Sequence, residues 1–286
     1  MRHEVRDEGP IELRRDVLGV AHVSCLARQA KELVAEVEEN YLYDKANERW
    51  GRWHKCSLCE QNYHGVVRCA LGWACWKTYL GRPETDQFHG VAMGVLANGL
   101  CDAKHHEAAM SVREARLSLA RRLGDSEFNI LVAKGNLANS YQKLGRHEEA
   151  LSMRQEVYSG HLKLNGREHP DTLREAENYT LSLFELERFE EARSLLRRII
   201  RVARRVLGAS HDTTIRMSRS YAKALAKDPG ATLDDLREAV TMLEDTERTA
   251  RRVLGSAHPI TTGIEHDLRV MRDAVEIAVG ARETPS

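Results

Sequence analysis

Apolar residues recur along most of this chain at three- and four-residue steps. Ala192, Leu195, Leu196, Ile199, Ala203, Val206 and Leu207 form one continuous stripe, the spacing of an amphipathic helix. The stripe stops at Gly208, where glycine supplies a left-handed helix end. Leu137, Ala138, Tyr141 and Leu144 form the stripe of a partner helix, and the small Ala138 permits close approach. Turns such as "LGR" and "LER" join the two helices. New helices begin at "HPDT", "HDTT" and "HPIT", because proline is tolerated in the first turn and aspartate favours the positive end of the helix dipole.

This helix pair is repeated. Gly124, Gly166, Gly208 and Gly255 lie 42, 42 and 47 residues apart, and Ala109, Ala150, Ala192 and Ala239 keep intervals of 41, 42 and 47. The additional residues of the last interval fall at "KDPGATLDD", where Pro and Gly lengthen a turn. A single helix pair leaves an apolar face uncovered, so neighbours must stack. The pattern therefore predicts an all-α chain whose residues 86–276 form an α-solenoid of stacked hairpins, with a tail over 277–286.

The run "NLANSYQKLGRHEEALSMRQEVY", followed by "LNGREHPDT", resembles the tetratricopeptide repeat, in the 42-residue form found in kinesin light chains. The resemblance implies a superhelix whose first helices line a concave groove for partner peptides. Asn98 and Asn139 share one repeat-equivalent position on that inner face, where an amide offers both donor and acceptor to a peptide backbone. Arg216, Arg219 and Lys223 follow at three- and four-residue spacing and would favour an acidic segment. The alternative for these residues is a solvated basic face, and for the whole array a spacer. The recurring His169, His211 and His258 sit at helix starts, which assigns them to turn chemistry rather than catalysis.

Composition narrows the partners. Among 286 residues, 43 basic and 43 acidic side chains cancel, so no global field favours nucleic acid or an anionic membrane. No apolar run approaches the roughly 18–20 residues that span a bilayer, and the first residues lack the apolar stretch of a secretory signal. Six cysteines in such a chain point to a reducing, cytoplasmic setting where thiols pack or bind metal. No Gly-rich phosphate loop, His-Glu-x2-His or Gly-x-Ser-x-Gly occurs, so no enzyme of those classes is indicated.

The first part of the chain differs. All four tryptophans, Trp50, Trp53, Trp73 and Trp76, lie beside the stretch "HKCSLCEQNYHG" and are expected to pack a junction. Residues 64–85 read as a junction helix or worn first repeat, with Cys69, Trp73, Trp76 and Leu80 on one stripe and Cys69, Cys75 and Cys101 as small buried residues. Over residues 1–63, "AHVSCL", a helix and "CSLCEQNY" resemble the second half of a RING-CH finger. That family uses two zinc ions and recruits an E2 enzyme as a ubiquitin ligase. On this resemblance His22 and Cys25 match its middle ligand pair, and Cys56 and Cys59 its last pair. Residues 1–21 contain no cysteine, so either each zinc keeps two ligands or the four survivors collapse into one site of one histidine and three cysteines. Two functions stand: a non-catalytic interaction scaffold, or a substrate-recognising ligase complete only with an upstream half finger.

Overall fold

The computed structural model describes residues 22–283. Among them the chain is all-α: α1 (Val23–Glu39), α2 (Ala46–Gly51), α3 (Gly65–Tyr79), α4 (Gln87–Asp102), α5 (His106–Leu123), α6 (Glu127–Lys143), α7 (His147–Asn165), α8 (Pro170–Glu185), α9 (Phe189–Val206), α10 (Asp212–Lys227), α11 (Leu233–Leu254) and α12 (Pro259–Glu283). A short 3-10 turn at Tyr43–Lys45 precedes α2. Among the described residues no helix is long and apolar enough to cross a membrane. The chain divides into two compact units, with the boundary between Lys104 and His105. The division falls beyond the expected start of the repeats and separates α4 from α5, the pair expected to form the first hairpin.

In the C-terminal unit each helix from α5 to α12 packs on the next, and alternate helices α8, α10 and α12 also touch. This is the connectivity of stacked hairpins, in which the stripe of one pair is covered by its neighbour. Ala192, Leu195, Leu196, Ile199 and Ala203 of α9 are all buried, joined by Leu173 and Leu183 of α8, Ile215 and Leu225 of α10, Leu243 of α11 and Ile264 of α12 in one core. Each such leucine or isoleucine contributes about 1.5–3 kcal/mol by leaving water. Helix α12 runs on to Glu283, so the segment expected to be a tail is largely helical.

Local chemistry sets the helix starts. The His169, His211 and His258 side chains accept through Nδ1 from the N–H groups of Asp171, Thr213 and Ile260, each at 3.2 Å. Each bond satisfies a donor that the first helical turn would otherwise leave unpaired, so the three histidines are caps. Within hairpins the turn requires a left-handed residue: Gly145 (φ 73°) supplies it in one repeat, and Glu187 (φ 55°) occupies the equivalent place in the next.

The N-terminal unit is built on the α3–α4 hairpin, with α1 packed on α2 and α3. Its core joins Ala30, Val34, Trp53, Cys75, Tyr79, Phe88 and Ala92, with Trp50 and Trp76 partly buried against them. Trp50 stacks on Phe88 with ring centroids 5.2 Å apart. The tryptophans thus pack a core as expected, except that Trp73 is 45% exposed and Leu80 53%. The buried face of α3 is Leu71, Gly72, Cys75 and Tyr79 instead. Gly72 and Gly99 decide this choice, because they let α3 and α4 approach backbone to backbone: a Cβ at Gly99 would stand 2.7 Å from the Arg68 carbonyl oxygen. Of the three cysteines expected to be buried, only Cys75 is fully so.

Candidate functional site

The residues expected on the inner face lie on the first helices of the hairpins. Asn139 on α6 is exposed, and its side-chain oxygen accepts from the Arg154 guanidinium. Arg154 is itself buried on α7 and also donates to Glu175 Oε2 at 3.3 Å. The amide of Asn139 is therefore held by a buried polar network. Asn98 is likewise exposed on its helix, but α4 belongs to the N-terminal unit.

Arg216, Arg219 and Lys223 share one face of α10, as the spacing requires. None of the three stands as a bare cation. Arg216 Nε lies 2.7 Å from Glu177 Oε1, and its Nη1 lies 2.8 Å from Asp212 Oδ2. Arg219 Nε donates to Asp267 Oδ2 at 2.6 Å, and its guanidinium lies against Gly263, where a Cβ would come within 2.7 Å of Nη1. Lys223 Nζ stands 5.9 Å from the Phe184 ring centroid, and burial lowers its pKa despite the nearby Asp267. Burial also pushes the Glu177 carboxyl up to about 7, against the opposing pull of Arg216.

Position 139 has equivalents along the array. Leu181 on α8, Lys223 on α10 and Val270 on α12 follow it at 42, 42 and 47 residues, the same intervals as the glycine landmarks. Leu181 and Val270 are 43% and 49% exposed. Four successive first helices therefore carry Asn, Leu, Lys and Val at one register. Glu177, Asp267, Leu181 and Val270 were not singled out from the sequence. Extending the repeat interval from Asn139 would have found the two apolar members, whereas the acidic partners emerge only when helices stack.

The cysteine stretch folds as a small closed turn. His54 O accepts from Tyr63 N–H at 2.8 Å, Gln61 O from Cys56 N–H at 2.8 Å and Cys56 O from Glu60 N–H at 3.2 Å. Arg52 donates to Cys56 O at 3.1 Å and to Glu60 Oε1 at 2.9 Å, and Lys55 Nζ lies 2.7 Å from Glu60 Oε2. Inside the turn Leu58 N–H points at Cys56 Sγ, 3.4 Å away. Hydrogen bonds from the Cys59 and Leu58 backbone, followed by the Cys59 thiol and the Tyr63 hydroxyl, hold the Cys56 thiol below its ordinary pKa. His22 and Cys25 lie elsewhere in the unit, at the start of α1. The collapsed site of one histidine and three cysteines is not assembled: among the described residues no three His, Cys, Asp or Glu side chains gather as a metal site. The physical reason is local, since one pair opens a helix and the other sits in a turn closed on itself.

No curated protein matches the chain significantly. The tetratricopeptide repeat family matches residues 130–171 and 180–212. Among solved structures, the nearly identical TPR-like repeats of a Podosopora anserina protein assigned to the kinesin light chains superpose with a TM-score of 0.53, at 19% identity, over 82% of this chain and 98% of that one. A variant of the same protein gives 0.54 over the same shares at the same 19% identity. The apo form of RapI gives 0.50 at 12% identity, over 90% of this chain and 84% of that one. Residues 130–171 and 180–212 thus match the tetratricopeptide repeat, within an all-α chain that has the fold of these helical-repeat proteins.

Proposed function

We propose that this protein is a non-catalytic interaction scaffold whose C-terminal unit holds an extended segment of a partner protein along the inner face of α6, α8, α10 and α12. The single observation that carries the reading is the register of Asn139, Leu181, Lys223 and Val270, which repeats at the interval of the fold itself. A strand-like ligand also repeats along its length, so a regular array of side chains can meet it at several points. The bound segment carries an acidic residue facing α10, where Arg216, Arg219 and Lys223 cluster, flanked by apolar side chains that cover Leu181 and Val270. Because the cations already face Glu177, Asp212 and Asp267, the ligand carboxylate exchanges one ion pair for another. It therefore contributes selectivity more than affinity. Asn98 offers the same contact in the N-terminal unit as a separate site.

We place the protein in a reducing, cytoplasmic setting, on the sequence argument that its six cysteines pack or bind metal. The ligase alternative finds no such support: the family model that matches is the tetratricopeptide repeat, over residues 130–171 and 180–212.

The test compares the partners captured by the wild type, by Arg216→Glu/Arg219→Glu/Lys223→Glu and by Leu181→Glu/Val270→Glu, with helix content monitored for each. The reading expects folded variants that lose the same partners, the first set losing acidic segments selectively. Unchanged partners in both folded variants would remove the inner face from the function.

A further inference from the structure

The turn at residues 54–63 is used by neither the solenoid nor its inner face, yet it is built with some care. Three backbone hydrogen bonds close it, and Glu60 is held by Arg52 from outside the turn and by Lys55 within it. Glu60 takes a left-handed conformation, φ 58°, to complete it. Two thiols result at the ends of one tight turn, and Leu58 N–H is directed at the Cys56 sulfur, 3.4 Å away. Cys59 is exposed and Cys56 partly so, which leaves the pair open to solvent.

The Leu58 N–H aimed at the Cys56 sulfur is placed to meet the negative charge that a metal-bound sulfur carries. The number of ligands then selects the ion. A structural zinc site takes four, and among the described residues no third His, Cys, Asp or Glu joins this pair. Soft d10 ions differ: Cu(I) is selected by thiolates and is satisfied by two of them. We propose that Cys56 and Cys59 form a two-thiolate site for a soft monovalent cation, with Cu(I) as the ion it fits. Binding breaks two S–H bonds and forms two S–Cu bonds. Two protons leave to solvent, copper keeps its oxidation state, and the complex carries one negative charge beside Arg52 and Lys55. This site does not depend on the proposed peptide face.

The full chain, reduced and free of metal, is titrated with Cu(I) against a chromophoric Cu(I) chelator under anaerobic conditions. The expected result is a single equivalent bound, with affinity falling at least about tenfold, or 1.4 kcal/mol, in both Cys56→Ser and Cys59→Ser and unchanged in Cys25→Ser and Cys69→Ser. X-ray absorption should show two sulfur neighbours. In the wild type, Cu(I) should protect Cys56 and Cys59 from alkylation as read by mass spectrometry, a measurement that requires no variant to fold. Absence of binding, binding indifferent to both serine variants, three or more sulfur neighbours, or no protection of the two thiols would each overturn the proposal.

Discussion

Glu177 sits 4% exposed on α8, facing Arg216 and Asp212 of α10. Burial dominates its titration and pushes the carboxyl from an ordinary 4.5 up to about 7. Between those values the folded chain holds a proton that the unfolded chain releases. Stability is therefore fully present below the ordinary carboxylate range and falls as pH rises towards 7. Glu177→Gln, which stays neutral, should match the wild type near pH 4 and exceed it at pH 8 by on the order of 3 kcal/mol. Urea unfolding at the two pH values measures this, and equal stability at both would refute it. A second residue-scale feature escaped the hydrophobic pattern altogether. Arg113 and Arg154 are buried at the repeat positions where later hairpins bury Leu196 and Leu243. Arg113 donates to Ser140 at 2.7 Å and Arg154 to Glu175, partners that come from neighbouring helices and that no local spacing reveals.

Single helices obeyed the sequence where their two faces differ in polarity. The α9 stripe holds from Ala192 to Ala203, where arginines and glutamates alternate with it, whereas Val206 at its end is exposed. The α3 stripe was misread because that helix is apolar on nearly every side, so periodicity could not choose a face. Two glycines chose it. Gly99→Ala would drive a Cβ to 2.7 Å from a backbone oxygen of α3, and backbone yields only by separating the helices. A loss of about 2–4 kcal/mol is expected. Gly94 lies on the same helix with nothing within 4 Å of its would-be Cβ, so Gly94→Ala should stabilise by about 0.5–1 kcal/mol. Thermal unfolding of the two variants should move in opposite directions, and a common direction would contradict the close packing of α3 on α4.

At the scale of the array, contacts in the C-terminal unit are almost all between neighbours in sequence. Stability should then be regional rather than global. Ile264 of α12 is completely buried, and Ile264→Ala should cost about 2–5 kcal/mol locally. Hydrogen exchange in this variant is expected to accelerate in α10, α11 and α12 and to stay unchanged in α6. Uniform acceleration from α5 to α12 would mean that the unit unfolds as one body.

The helices, their repeat interval, the capping histidines and the all-α class were legible in the sequence because each follows from contacts within about one helical turn, or from a period copied along the chain. What only the tertiary structure decided was which charges meet and which ligands do not. Arg216 finds Glu177, Arg219 finds Asp267, and the His22–Cys25 pair stays out of the Cys56–Cys59 turn. Such pairings depend on how far apart separately folded pieces come to rest, and spacing along one chain carries no record of that distance.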